Sequence, residues 1–337
     1  MRLFYKIALT ILTGSITMTN VLANEIPFKI RSVFDIKYAF CTIKTNDVVS
    51  SDNRTSSMQG RGMGSSSTNS LLMLENGEND VTLEIGALAW FSQEDIDNKT
   101  RATFKPEASC KLDVIKFENQ KETIITSINI SIDKEGIPQS LITNENEDDK
   151  KYLNYNKILA EQSEIGHIRA KSYKTYRFPK GMEIFQFTRK IKVHGLPTWA
   201  WVNATPFTGS EEQIQKLQMA YSEFAEAIND QDRSKIKKLY KISLDAWSRT
   251  MGDNEDDILE SQFTKDEIEN GKAKIGKINW EDYAVRVMNK GRMVQLYNKS
   301  IPTYSPLTYF YNEDGEAYSI SFAPIFSLID GKFVVVI

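Results

Sequence analysis

Apolar and polar residues alternate with a period of two over much of the chain up to His194, and with a period near 3.6 only after Ser210. The run FDIKYAFCTIK from Phe34 opens the strand-like series. Val81–Phe91, Ala108–Glu118 and Glu122–Asp133 continue it, and in the last Ile128, Ile130 and Ile132 alternate with Asn129, Ser131 and Asp133. Lys174–Phe178 and Glu183–His194 close the series, with a short helix-like piece expected around Tyr155 to Glu164. Short strands rich in β-branched and aromatic residues, with turns between them, predict an antiparallel sandwich or barrel. Helices do not alternate with these strands, which disfavours a parallel α/β sheet. The polar tract from Thr45 to Ser70 is expected to be a surface loop. Its Gly60-Arg61-Gly62-Met63-Gly64-Ser65 segment lacks the flanking strand, helix and lysine of a phosphate-binding loop.

After Ser210 the pattern changes. Ser210 followed by Gln213 is a capping-box signature. Ile214, Leu217, Ala220, Tyr221, Phe224, Ala225 and Ile228 then fall on one helical stripe. Asp232 or Ser234 caps a second helix through Ile236, Leu239, Tyr240, Ala246 and Trp247, making a helical hairpin, and a weaker helix follows over Asp256–Asn270. Strands return at Tyr283–Met288, Met293–Asn298, Thr308–Tyr311, Ala317–Phe326 and Phe333–Ile337. Asp314-Gly315 and Asp330-Gly331 mark hairpin turns between apolar runs. Helices on a meandering antiparallel sheet make this half an α+β domain. The element order, with FAEAINDQDRSKIKKLY at Phe224–Tyr240, resembles the cone-shaped nuclear-transport-factor-like fold. That resemblance implies a fold that hosts enzymes and binding modules alike, so it transfers no residues.

Two domains are therefore expected: an all-β antiparallel sandwich over 24–194 and an α+β domain over 210–337, joined by an aromatic and proline-rich junction over 195–209. The candidate ligand or partner contacts gather near that junction: His194, Trp199, Trp201 and, on the first helix, Tyr221. The simpler expectation for the two tryptophans is packing that fixes the angle between the domains, with His194 a structural residue at the interface.

The chain begins with Arg2 and Lys6, an apolar run from Ile7 to Met18, and Val21-Leu22-Ala23. This is the pattern of a signal peptide over 1–23, the apolar run being too short to span ~30 Å of hydrocarbon. On that pattern the protein is expected in the periplasm or outside the cell. The formal charge is −3, and removing Arg2 and Lys6 makes it 42 − 2 − 45 = −5. Mixed, mildly acidic charge carries no footprint for nucleic acid, and no later stretch is long enough for a membrane span. The two cysteines, Cys41 and Cys110, are expected to pair in an oxidising compartment. One detail opposes this. In a single strand Cys41 would lie opposite the Phe34, Ile36, Tyr38, Phe40 stripe, which calls for burial on both faces or a bulge.

Familiar catalytic chemistry is not legible. The two histidines, His167 and His194, stand in no metal-binding pattern. There is no Gly-x-Ser-x-Gly, and Ser51-Asp52-Asn53 lacks its companion motifs. The acidic run Asp253–Asp257 lacks the glycine and alternating ligands of a calcium loop. No metal and no cofactor are expected. The leading expectation is an exported, non-catalytic protein acting through protein–protein contacts, one such role being an immunity-type inhibitor of a toxin. The alternatives are a glycan or small-molecule binder using the interdomain cleft, and a hydrolase whose carboxylate pair has no recognisable motif.

Overall fold

In the computed structural model, which describes residues 26–142, 151–167, 177–269, 271–313 and 316–337, the first alternating run is two strands rather than one. β1 (Phe28–Lys37) and β2 (Ala39–Thr45) meet at Tyr38, where a φ of 51° turns the chain out of the extended region. Asn46 and Asp47, also at positive φ, turn it again into β3 (Val48–Asp52). There follow α1 (Arg54–Met58), β4 (Gly64–Asn69), β5 (Gly77–Ala87), α2 (Asn98–Arg101), β6 (Ser109–Glu118), β7 (Lys121–Ile132), β8 (Pro138–Ile142), β9 (Lys151–Tyr152), β10 (Tyr155–Leu159) and β11 (Glu183–Val193). They form two antiparallel sheets, in the orders β4-β1-β6-β7-β8-β9 and β10-β11-β5-β2-β3.

The break at Tyr38 resolves the cysteine conflict. β1 pairs with β4 and β6, whereas β2 pairs with β3 and β5, so the chain crosses from one sheet to the other at this residue. Phe34 and Ile36 enter the shared core from the first sheet, and Cys41 and Ile43 enter it from the second. Cys41 and Cys110 lie at disulfide distance, Cα atoms 6.5 Å apart, and so link the sheets face to face. A buried disulfide fits an extracellular or periplasmic protein. Among the described residues no helix is long and apolar enough to cross a membrane. The expected signal peptide, the Asp314-Gly315 turn and most of the strand expected at Lys174–Phe178 lie outside the described residues.

Two local expectations are corrected. The tract Thr45–Ser70 is not a surface loop: it contains β3, α1 and β4, and the Ser/Thr-rich β4 pairs along β1 from Arg31 to Ile36. Buried Asn53 fastens it, accepting from the Cys41 N–H at 2.9 Å and donating to the Ala39 carbonyl at 2.8 Å. Polar composition misleads here because an edge strand needs backbone partners more than apolar side chains. Likewise Tyr155–Leu159 is a strand, β10, paired to β11, not a helical piece.

The second half comprises α3 (Glu211–Asn229), α4 (Arg233–Leu239), α5 (Lys241–Met251), α6 (Glu255–Gln262), α7 (Lys265–Glu269), β12 (Tyr283–Met288), β13 (Met293–Asn298), β14 (Leu307–Glu313), β15 (Glu316–Phe322), β16 (Phe326–Ile329) and β17 (Lys332–Val335). Ser210 and Asp232 cap α3 and α4 through side-chain acceptors, as their positions predict. The expected second helix is divided at Tyr240 into α4 and α5. The strand expected over Ala317–Phe326 is also divided, around Pro324, which has no N–H for a ladder. Thus β15 pairs with β14, while β16 joins the sheet β12-β13-β16-β17. Among the described residues the fold is β-rich, with four mostly antiparallel sheets and a few helices, consistent with two domains.

Two hydrophobic clusters underlie it. One is built mainly from the first two sheets and the other from α3–α7 and the later sheets, and Trp247 of α5 packs against both. Polar contacts also join the halves. Arg292 forms a two-pronged ion pair with Glu75, at 2.8 and 2.5 Å, and the Asn289 N–H donates to the Asn46 carbonyl at 3.0 Å. Hydrogen bonds from Arg292 hold the Glu75 carboxyl below its ordinary pKa. A carboxyl lowered in the folded state adds stability above the unfolded value, ~4.3, and loses it as pH falls through the folded one. Glu75→Gln is therefore expected to be less stable than the parent at pH 7, with the gap closing as pH falls below the unfolded value, ~4.3. Urea titrations of both proteins across that range measure this; a gap independent of pH would remove the linkage.

Candidate functional site

The site is built on the outer face of the five-stranded sheet. Directly opposed residues in antiparallel strands share a face, so the register defines a polar row across all five strands. It runs Asp52 to Thr42 to Glu84 to Gln186 to Asn156. On one side of this row Phe40 faces Gly86, and Ile158 faces Ile184. A Cβ at Gly86 would stand 2.5 Å from the end of Met182 and 3.0 Å from Ile184, so glycine is what lets these apolar groups close over the strand. On the other side Lys44 is flanked by Thr82 and Val49. A register shift in the β2–β3 pairing, beside Ile43 and Lys44, brings both Val49 and Asp52 to this face although they are three residues apart.

Strands β12 and β13 roof part of this face, leaving a cleft of about 510 Å³. The floor is charged but largely paired. Glu84, only 2% exposed, accepts from Lys44 at 2.5 Å and from Gln186 at 2.9 Å. From the roof, Arg286 pairs with Glu161, donates to Gln295 at 2.8 Å and lies over the Tyr297 ring at 4.6 Å. Arg54 rests over Phe178 at 4.1 Å and Phe40 at 5.1 Å and donates to the Arg177 carbonyl at 2.7 Å. Burial lowers its pKa, against the opposing pull of Asp52 and Glu161. Val49 (44% exposed) shares the Lys44 side of this face, whereas the exposed Leu159 and Val287 alternate with Ile158 and Arg286 and so stand on the other faces of their strands. Chemically this is a binding surface with apolar contacts at its rim and directional polar groups on its floor.

The residues singled out from sequence lie elsewhere. Trp199 and Trp201 are buried, 3% and 1% exposed, and their indole N–H groups donate to the Leu71 and Leu72 carbonyls, each at 3.0 Å. Arg249 lies over the first ring and Arg292 over the second, at 5.6 and 5.2 Å. Both tryptophans also border a smaller hollow of about 360 Å³ beside α5. His194 is exposed just after β11. Tyr221 is buried in the second core, where its hydroxyl accepts from the Leu296 N–H at 3.0 Å and burial raises its pKa. The tryptophans are thus brought together, while His194 and Tyr221 join neither them nor each other. His167 lies between Glu164 and Asp282, at 3.3 and 3.4 Å. Among the described residues no cluster of three or more His, Cys, Asp or Glu is placed to hold a metal.

Sequence reasoning missed the cleft residues. Glu84 carried a signal, a single acid inside the apolar run VTLEIGALAWF, which marks an outward polar position or a buried pair. Arg54 carried none, because it stands in a polar tract with no period. No protein-family model, no curated protein and no solved structure matches this chain.

Proposed function

We propose that this chain is an exported binding protein that acts through protein–protein contacts, receiving a short extended segment of its partner in the cleft beneath β12 and β13. The observation that carries this reading is a roofed cleft with exposed Val49 on its open face and a floor whose charges are mostly paired already. The cleft volume lies within the ordinary range for ligand sites, ~300–1,000 Å³. On this reading residues 24–194 and 210–337 are the two domains, with 195–209 as connector and the cleft between them. On the same reading the C-terminal half is a nuclear-transport-factor-like cone. Its interior is occupied by Phe326 with Tyr221 and Phe224 around it, ring centroids 4.8 and 6.3 Å from that of Phe326, so the cleft rather than the cone is the receptor surface. Inhibition of a delivered toxin, the immunity-type role, is the narrower form of the proposal.

A photo-reactive residue placed at Val49 in the native host is expected to capture a discrete protein partner, whereas one at exposed Met219 of α3 is not. Capture through a photo-reactive residue at Tyr304, which also lines the cleft, should be abolished by Val49→Asp without altering the far-ultraviolet spectrum. Capture from Met219 alone would move the partner surface off the cleft. A second reading has its own support: Tyr297 and Tyr304 also line the cleft and present aromatic surface suited to a sugar or another small molecule. Tight binding of a glycan with no protein captured would favour it.

A further inference from the structure

The hollow of about 360 Å³ beside α5 shares no lining residue with the cleft. Lys241, Asp245 and Arg249 line it from one row of α5, each four residues from the next. Ile242 and Ala246 on the adjacent row line it too, so this face of the helix is turned to the hollow. Trp199, Trp201 and Val336 complete an apolar wall. Lys241 is bound to Glu255. Asp245 and Arg249 are half-buried, and among the described residues neither makes a hydrogen bond or an ion pair, even with the other. The Arg249 guanidinium lies instead over the Trp199 ring, 5.6 Å from its centroid. Stacking occupies the face of a guanidinium and leaves its in-plane N–H donors to an acceptor. The hollow thus presents one uncommitted cation and one uncommitted anion on successive turns of a helix, beside apolar groups. Cβ atoms at that spacing stand ~5–6 Å apart, so a ligand carrying both charges on one carbon meets the two together. A ligand with a single charge would answer only one of them.

We propose that the α5 hollow is a binding site for a free α-amino acid with an apolar side chain. Its carboxylate takes Arg249, its ammonium takes Asp245, and its side chain covers exposed Ile242 beside the apolar wall. The volume is in the ordinary range for small-ligand sites, ~300–1,000 Å³. This site goes beyond the cleft reading and does not depend on what the cleft receives.

The test uses the full chain with ¹⁵N-labelled tryptophan, the Trp199 indole N–H signal being identified from its loss in Trp199→Phe. The probes are L-leucine, L-leucinamide, which has no carboxylate, and N-acetyl-L-leucine, which has no ammonium group. L-leucine is expected to shift the Trp199 signal and, by calorimetry, to bind at least tenfold more tightly than either analogue. Arg249→Gln should weaken L-leucine to the level of leucinamide, and Asp245→Asn to the level of N-acetyl-leucine, each with the far-ultraviolet spectrum of the parent. Equal binding of the three compounds overturns the amino-acid assignment. Leucine binding that is unchanged in both variants, or no shift and no heat with any probe, overturns the site.

Discussion

Trp201→Ala is expected to lower the unfolding free energy by about 3–5 kcal/mol, the range for truncating a large buried aromatic. The ring is 1% exposed and sits in the first core, its indole N–H is bonded to the Leu72 carbonyl, and Arg292 lies across its face. Truncation would leave a cavity, an unpaired buried carbonyl and an arginine without its ring. Arg292 also pairs with Glu75 and donates to the Val202 carbonyl at 3.2 Å, so the damage reaches the contacts that join the two halves. Trp201→Phe separates the effects. It keeps most of the apolar contact but loses the donor, and the net worth of that hydrogen bond is about 0.5–1.5 kcal/mol plus the desolvated carbonyl. Urea unfolding measures both variants, and proteolysis within 195–209 reads the loosening of the connector. A loss below about 1 kcal/mol for the alanine variant would show that the tryptophan does not hold the junction.

Replacing both cysteines, Cys41→Ala with Cys110→Ala, should cost about 4 kcal/mol. The pair is 69 residues apart in sequence, and in the chain-entropy model a loop of that length confines the unfolded chain by this amount. The bridge also joins β2 to β6, strands of opposite sheets that share no ladder, so its removal leaves only side-chain packing between those two strands. Comparing the double variant with parent protein reduced under denaturing conditions separates the missing bond from the two small packing changes. A parent protein whose stability is unchanged on reduction would contradict the expectation.

Much of the fold is legible because local rules set it. The period-two runs at Val81, Ala108, Glu122 and Glu183 all become strands, since an apolar alternation matches the pleat wherever a core is available. Ser210 and Asp232 start helices because their side chains satisfy orphan N–H groups, a purely local bond. The failures share a cause as well. The tract at Thr45–Ser70 and the piece at Tyr155–Leu159 are strands at or near sheet edges, where the backbone ladder rather than side-chain burial does the holding, so their composition is uninformative.

The candidate site was harder to foresee. Trp199 and Trp201 drew attention because large aromatics beside prolines are conspicuous, yet their rings and donors are engaged within the protein. The cleft is assembled from one to three residues each on β2, β3, β5, β10, β11, β12 and β13, each ordinary in its own run. Only the register sets Asp52, Thr42, Glu84, Gln186 and Asn156 in one row.

By itself the sequence determined the strand-rich first half, the capped helices of the second, and a cysteine pair suited to an oxidising compartment. These follow from period, capping chemistry and composition, which act over a few residues or over the chain as a whole. The tertiary structure decided which sheet each strand enters. Alternation tells two faces apart but does not say which sheet a face belongs to, and the positive φ at Tyr38 made that choice, carrying Cys41 inward toward Cys110 and Phe40, Thr42 and Lys44 outward to the cleft.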